Sequence, residues 1–127
     1  MMAFHTHSGP MHTVEEKEGD ILIVTLQGHL DGFYAEPFEA RVAELIDAGA
    51  NRIVLDCEGL SYINSGGLKT FLVLSKRLES SGGKLVFCSL LPNIAVIFET
   101  IGFNRILTIA LSRQEAVDQC NGEATAA

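Results

Sequence analysis

Residues 52–68, RIVLDCEGLSYINSGGL, decide the fold. Arg52–Cys57 is a continuous apolar run rich in β-branched residues, the pattern of a strand buried on both faces of a sheet. Ser65-Gly66-Gly67 then opens a helix. Serine suits a helix N-cap, the glycines permit a tight turn, and Leu68, Phe71, Leu72 and Leu78 recur at helical spacing. Lys69, Lys76 and Arg77 fall on the wet side. Glu58–Asn64, between the two, reads as a loop. Gly82-Gly83 supplies the stop.

Outward from this unit the same alternation continues. Lys84–Cys88 (KLVFC) is a second buried strand. Pro92 opens a third helix, with Ile94, Ile97, Phe98 and Ile101 inward and Gly102 as its end. Ile106–Ile109 is a last strand, and Ser112-Arg113-Gln114-Glu115 matches a capping box that starts a short final helix. Upstream, Val14–Lys17 reads as a short edge strand, Glu18-Gly19-Asp20 as a hairpin turn, and Ile21–Gln27 as a strand with Leu22, Val24 and Leu26 on one face. Pro37 suits the first turn of the first helix, whose apolar stripe is Phe38, Val42, Leu45 and Ile46. Two strands followed by alternating helix and strand imply a mixed sheet covered by helices. Parallel neighbours joined by right-handed crossovers follow. Function in such sheets sits at the carboxyl ends of the strands, here the Asp56–Gly67 segment. Residues 1–12 show no periodicity and read as a flexible N-terminal leader; residues 13–119 form one domain, and 120–127 a flexible tail.

Composition bounds the function. The 127 residues are 47% hydrophobic and 20% charged, an ordinary globular balance for one domain. The longest apolar run, Ile94–Phe98, is far below the ~20 residues a membrane helix needs. Nine scattered Lys and Arg against sixteen Asp and Glu, net −7, argue against nucleic acid and anionic membranes as partners. The three cysteines, Cys57, Cys88 and Cys120, form no CxxC pair and read as reduced thiols of a cytoplasmic protein, Cys57 and Cys88 as structural ones. The first basic residue is Lys17, so the start lacks the positive region of a secretory signal.

The candidate for chemistry is Asn64-Ser65-Gly66-Gly67. The unpaired amides and dipole at a helix start favour negative charge, so a phosphate on Ser65 is compatible with the fold. The plainer reading makes Ser65 a cap and the glycines a turn. A catalytic serine needs an oriented base. No GxSxG elbow exists, and of the four histidines His5, His7 and His12 lie in the leader, with His29 alone beyond it. No P-loop, dinucleotide fingerprint or zinc motif is present, and no metal or cofactor is expected. Asp56 ends a central strand, where a receiver domain carries its phospho-acceptor. That chemistry wants an acidic pair after the first core strand, and Gln27-Gly28-His29-Leu30-Asp31 holds one acid.

In order along the chain stand Gly28-His29-Leu30-Asp31, Ile53-Val54-Leu55-Asp56, Ile63-Asn64-Ser65-Gly66-Gly67-Leu68, Gly82-Gly83-Lys84-Leu85 and Ile101-Gly102-Phe103. This succession resembles the STAS domain of bacterial anti-sigma factor antagonists across residues 13–119. The resemblance implies an α/β STAS fold, a mixed sheet of four to five strands packed against about four helices. It also implies a non-enzymatic switch in sigma-factor-dependent transcription. Members of that family bind an anti-sigma factor that is also a serine kinase of the GHKL-type fold, are released when it phosphorylates them, and are restored by a PP2C-type phosphatase. The phosphorylated serine falls on Ser65, and the acid of the G-x-L-D motif on Asp31. By the same analogy the partner face comprises Asp31, Asn64, Ser65, Gly66, Gly67 and the helix stripe Lys69, Val73 and Lys76. The family pattern Asp-Ser-Ser/Thr-Gly departs here to Asn64-Ser65-Gly66-Gly67, which removes a charge and a hydroxyl. The alternatives are an unphosphorylated STAS scaffold in a signalling or lipid-transport assembly, and a receiver-like domain modified on Asp56.

Overall fold

The structure, a computed structural model, describes residues 4–7 and 11–122, with side chains from Met11 onward. Its sheet orders six strands as they follow in the chain: β1 (Phe4–His7), β2 (Met11–Glu18), β3 (Ile21–Leu30), β4 (Arg52–Ile63), β5 (Lys84–Cys88) and β6 (Thr108–Ala110). β1, β2 and β3 pair antiparallel; β3 to β6 are parallel. Gly19, at φ 62°, sits in the two-residue turn between Glu18 and Ile21, a left-handed position that hairpin turns demand and glycine fills without strain. The parallel pairs are joined by helices α1 (Gly32–Asp47), α2 (Ser65–Ser80) and α3 (Pro92–Ile101), and α4 (Arg113–Cys120) closes the chain. β2–β6 and the four helices are the expected mixed architecture. β1 adds an edge strand where the sequence suggested an unstructured leader, and β2 begins at Met11 rather than Val14.

Both faces of the sheet are covered. α1, α2 and α3 pack Phe38, Val42, Phe71, Leu74, Leu78, Ile94 and Phe98 against Leu22, Val24, Leu26, Ile53, Leu55 and Phe87. Phe71 is central, its ring 4.8 Å from that of Phe87 and 6.1 Å from that of Phe98. The opposite face carries Ile21, Ile23, Val54, Val86 and Cys88 beneath Ala116, Val117 and Cys120 of α4. Alternation along β3 and β4 therefore feeds two cores, which is why their sequences read as unbroken apolar runs.

Several boundaries differ from the sequence reading, each for a local reason. α1 starts at Gly32, not Pro37, because Asp31 caps it; Pro37 lies inside the helix. β4 does not stop at Cys57 but runs to Ile63. Its pairing with β3 shifts register between Thr25 and Gln27 and again between Gly28 and His29, bulges that let a polar stretch continue as strand. In α2 the fully buried positions are Gly67, Thr70, Phe71, Leu74 and Leu78, while Leu68 and Leu72 are only half-buried. Ile101 is 47% exposed rather than inward. The last strand is Thr108–Ala110, displaced by a 3-10 turn at Phe103–Arg105. Ser112 caps α4 as expected, its Oγ accepting from the Glu115 amide at 3.2 Å. Cys120, assigned to the tail, is a buried residue of α4.

One buried charge ties the back face together. The Asp56 side chain, under α4, accepts from Arg113 Nε at 2.9 Å and from the Glu58 amide at 3.1 Å. Arg113 also donates to Glu16 Oε1 and Thr25 Oγ1, both at 2.9 Å. One guanidinium thus joins α4 to β2, β3 and β4. Removing it strands a carboxylate inside the protein. Because Arg113 itself is partly exposed, Arg113→Ala is expected to cost about 2–3 kcal/mol in urea unfolding, below the full buried-pair penalty. In the Asp56→Asn background the same change should cost at least about 1 kcal/mol less, the mark of direct coupling.

All three cysteines are free and buried. Burial raises the Cys57 thiol well above its ordinary value. Burial, reinforced by Asp56, lifts Cys88 from 9.0 to about 11. The folded state thus holds these protons more tightly than the unfolded chain, so their contribution is complete below pH 9.0 and is lost as pH rises toward about 11. A disulfide reagent at pH 8 should leave the native thiols unmodified over minutes and titrate all three in guanidinium.

Candidate functional site

β3 and β4 end in register, Leu30 beside Ile63. One residue follows each strand before a helix begins: Asp31 before α1 and Asn64 before α2. The two junctions are built alike. Asp31 Oδ1 accepts from the Phe33 amide at 3.0 Å and the Tyr34 amide at 3.2 Å. Asn64 Oδ1 accepts from the Gly66 amide at 3.0 Å and the Gly67 amide at 3.2 Å. The Asn64 amide donates to the Leu30 carbonyl at 3.3 Å, extending the ladder past the strand ends. Two helix starts therefore stand side by side on the carboxyl edge of the sheet.

The glycines make this closeness possible. A Cβ on Gly67 would lie 2.6 Å from the Leu30 carbonyl oxygen and 2.7 Å from Ile63 Cγ1, contacts that no side chain tolerates. A Cβ on Gly66 would lie 3.1 Å from Gly32 Cα, tight but relievable by a small shift. With Asn64 as the cap, Ser65 is the first residue of α2 rather than the cap itself. It is exposed, and its hydroxyl makes no hydrogen bond among the described residues. Lys69 and Lys76 are exposed as expected, and Val73 is at the margin of exposure. Asp31 does not hang free: its carboxylate is engaged in capping α1, on the strand end adjoining that of Asn64.

Sequence reasoning missed an aromatic component of this edge. Phe33, next to the Gly32 that abuts Gly66, is 75% exposed. Tyr62, the last but one residue of β4, is 47% exposed and stands edge-on to His29 at 5.6 Å. The available signal was an aromatic residue two places after a cap and another in the mixed stretch that follows Cys57. Neither has a core to join.

Asp56, the receiver-type candidate, is 2% exposed, with both carboxylate oxygens bonded to Arg113 and Glu58. That geometry offers no oxygen to a phosphoryl donor. Among the described residues no group of three or more His, Cys, Asp or Glu could hold a metal, and no helix is long and apolar enough to cross a membrane.

A family model for the STAS domain matches residues 12–116. The chain belongs to the STAS domain family. BtrV of Bordetella bronchiseptica, a candidate anti-sigma factor antagonist, is 40% identical over 106 residues, spanning 84% of this chain and 91% of BtrV. Among solved structures, the anti-sigma factor antagonist SpoIIAA in its unphosphorylated form is similar at a TM-score of 0.74 and 24% identity, over 89% of this chain and 99% of SpoIIAA. The phosphorylated form of SpoIIAA, a Bacillus cell fate determinant, is similar at 0.66 and 25% identity, over 84% and 97%. This STAS protein thus has anti-sigma factor antagonists as its relatives.

The packing ranks three substitutions. Gly67→Ala should destabilise by about 2 kcal/mol or more, since backbone must move. Gly66→Ala should cost less than half of that. Phe33→Ala should stay within about 0.5 kcal/mol of the parent, because the ring is largely in water. Thermal and urea unfolding of the three variants check the order.

Proposed function

We propose that this STAS protein is an anti-sigma factor antagonist whose partner binding is switched off by phosphorylation of Ser65. The observation that carries the reading is the exposed, unbonded Ser65 hydroxyl on the first residue of α2, at an edge where two helix starts converge. The partner is an anti-sigma factor with a GHKL-type serine kinase fold, and a PP2C-type phosphatase resets the switch. Support comes from the STAS family match, from a relative named for antagonism of an anti-sigma factor, and from a neighbour solved in a phosphorylated form.

The electrostatics suit a local switch. A phosphate adds about −1.5 to −2 charges. The start of α2 accommodates them, with a favourable dipole term of about 0.3–1 kcal/mol. Moving an internal equilibrium from 1:99 to 99:1 would take about 5.5 kcal/mol, which that term cannot provide. Burying an unmatched phosphate in a protein interface costs several kcal/mol and is enough to eject a partner. The partner face is Asp31, the Asn64–Gly67 turn and the Lys69, Val73 and Lys76 stripe. Phe33 borders it through the Gly32–Gly66 contact.

Asn64 and Gly66 stand where the family pattern has an aspartate and a hydroxyl residue. Asn64 keeps the capping bonds, so the change removes charge beside Ser65 without disturbing its presentation. Incubation with the anti-sigma factor kinase and ATP should add one phosphate by mass spectrometry, absent in Ser65→Ala. Ser65→Asp should weaken partner binding by at least about tenfold, or 1.4 kcal/mol, with an unchanged circular dichroism spectrum. An active kinase that leaves Ser65 unmodified would refute the switch and favour an unphosphorylated STAS scaffold.

A further inference from the structure

The pole of the sheet opposite Ser65 holds a feature that antagonism does not use. The amino ends of β4 and β5 and the segments that follow α2 and α4 border an open pocket of about 310 Å³. Among the described residues Arg52 and Lys84 are the charged ones lining it, the amides Asn51, Gln119 and Asn121 supply polarity, and no carboxylate contributes to the wall. In a chain of net charge −7 this is an inverted local composition.

Arg52 and Lys84 are register partners in the parallel ladder, so two cations stand abreast on neighbouring strands. Strands lie about 4.8 Å apart, and like charges placed directly opposite destabilise a sheet unless something neutralises them. The Lys84 ammonium donates to the Gln119 carbonyl at 3.0 Å, leaving its other protons open. The Arg52 guanidinium, half-buried, has neither hydrogen bond nor ion pair among the described residues. The acid nearest in the same row is Glu18, paired with Ile21 on the far side of β3 and forming no ion pair with Arg52. The carbonyl ends of α2 and α4 attract these cations partially, but partial charges at two helix ends do not match two full ones. A guanidinium fork with open donors, an ammonium beside it and amide groups around them match a phosphate group in charge and donor geometry.

We infer that the pocket between Arg52, Lys84 and the end of α4 binds the phosphate group of a small-molecule anion. β4 spans 12 residues, so this pocket lies about 35 Å from the Ser65 edge. The inference is therefore independent of the proposed switch.

The test is nitrogen–proton NMR of the full labelled chain, titrated with sodium phosphate at constant ionic strength set with sodium chloride. Parallel arms use pyrophosphate and a nucleoside monophosphate. Saturable shifts are expected at residues 51–52, 82–84 and 119–122, half-complete near about 1 mM. Arg52→Gln and, separately, Lys84→Gln should each raise that midpoint at least about tenfold. Arg77→Gln, a surface arginine paired with Asp47, should leave it unchanged. Tighter pyrophosphate or nucleotide binding would identify a larger occupant; equal midpoints would mean that a single phosphate is the recognised group. Absence of saturable shifts at this pole, or equal shifts in both Gln variants, would overturn the inference.

Discussion

Two parallel strands that finish level with one another set the terms for the whole carboxyl edge. Leu30 and Ile63 are register partners, so whatever follows each must begin within a strand spacing of the other. Each is followed by a single capping residue and a helix. Two helices cannot start that close with ordinary side chains between them. Gly67 resolves the conflict by letting α2 ride over the Leu30 carbonyl, and Gly66 lets it meet Gly32 of α1. Gly67 is thus a packing requirement first, while Gly66 eases a contact that a small shift could relieve. The exposure of Ser65 is a consequence: the residue before them is turned outward because the two after it are pressed inward.

That arrangement explains why the departure from the family pattern is compatible with the fold. Capping needs an acceptor oxygen at position 64, and asparagine supplies one as well as aspartate does. Position 66 faces Gly32 at a distance where any side chain must push its neighbour, so a glycine relaxes rather than breaks the junction. What changes is charge near Ser65.

The order of elements and the position of the turn before α2 were legible in the sequence because apolar periodicity and glycine punctuation are local signals. β4 was not legible past Cys57. Glu58, Ser61 and Tyr62 break the apolar pattern, and what holds them in the sheet is a bulged pairing with β3 that no local rule announces. Pro37 misplaced the start of α1 because proline suits a first turn, yet the cap at Asp31 recruits Gly32–Glu36 into the helix ahead of it. At the site, Ser65, Asn64 and the glycines were readable by type. Their mutual geometry with Asp31 was not, since it depends on strands meeting across more than thirty residues of sequence. Phe33 and Tyr62 were overlooked for a related reason: burial belongs to tertiary structure, and an aromatic residue in sequence is presumed inward.

β4 runs from one pole of the molecule to the other. Arg52 opens it, Asp56 anchors α4 from its middle, and Ser65 lies just beyond its end. The first half of β4 is bonded to both β3 and β5, with Ile53–Cys57 buried, whereas Gly59–Ile63 pairs with β3 and leaves Ser61 and Tyr62 exposed. The buried half, anchored through Asp56 to Arg113, lies between the Ser65 end and the Arg52 end. The fold places the Ser65 edge and the Arg52 pocket at opposite ends of one strand, so each presents its own chemistry to solvent.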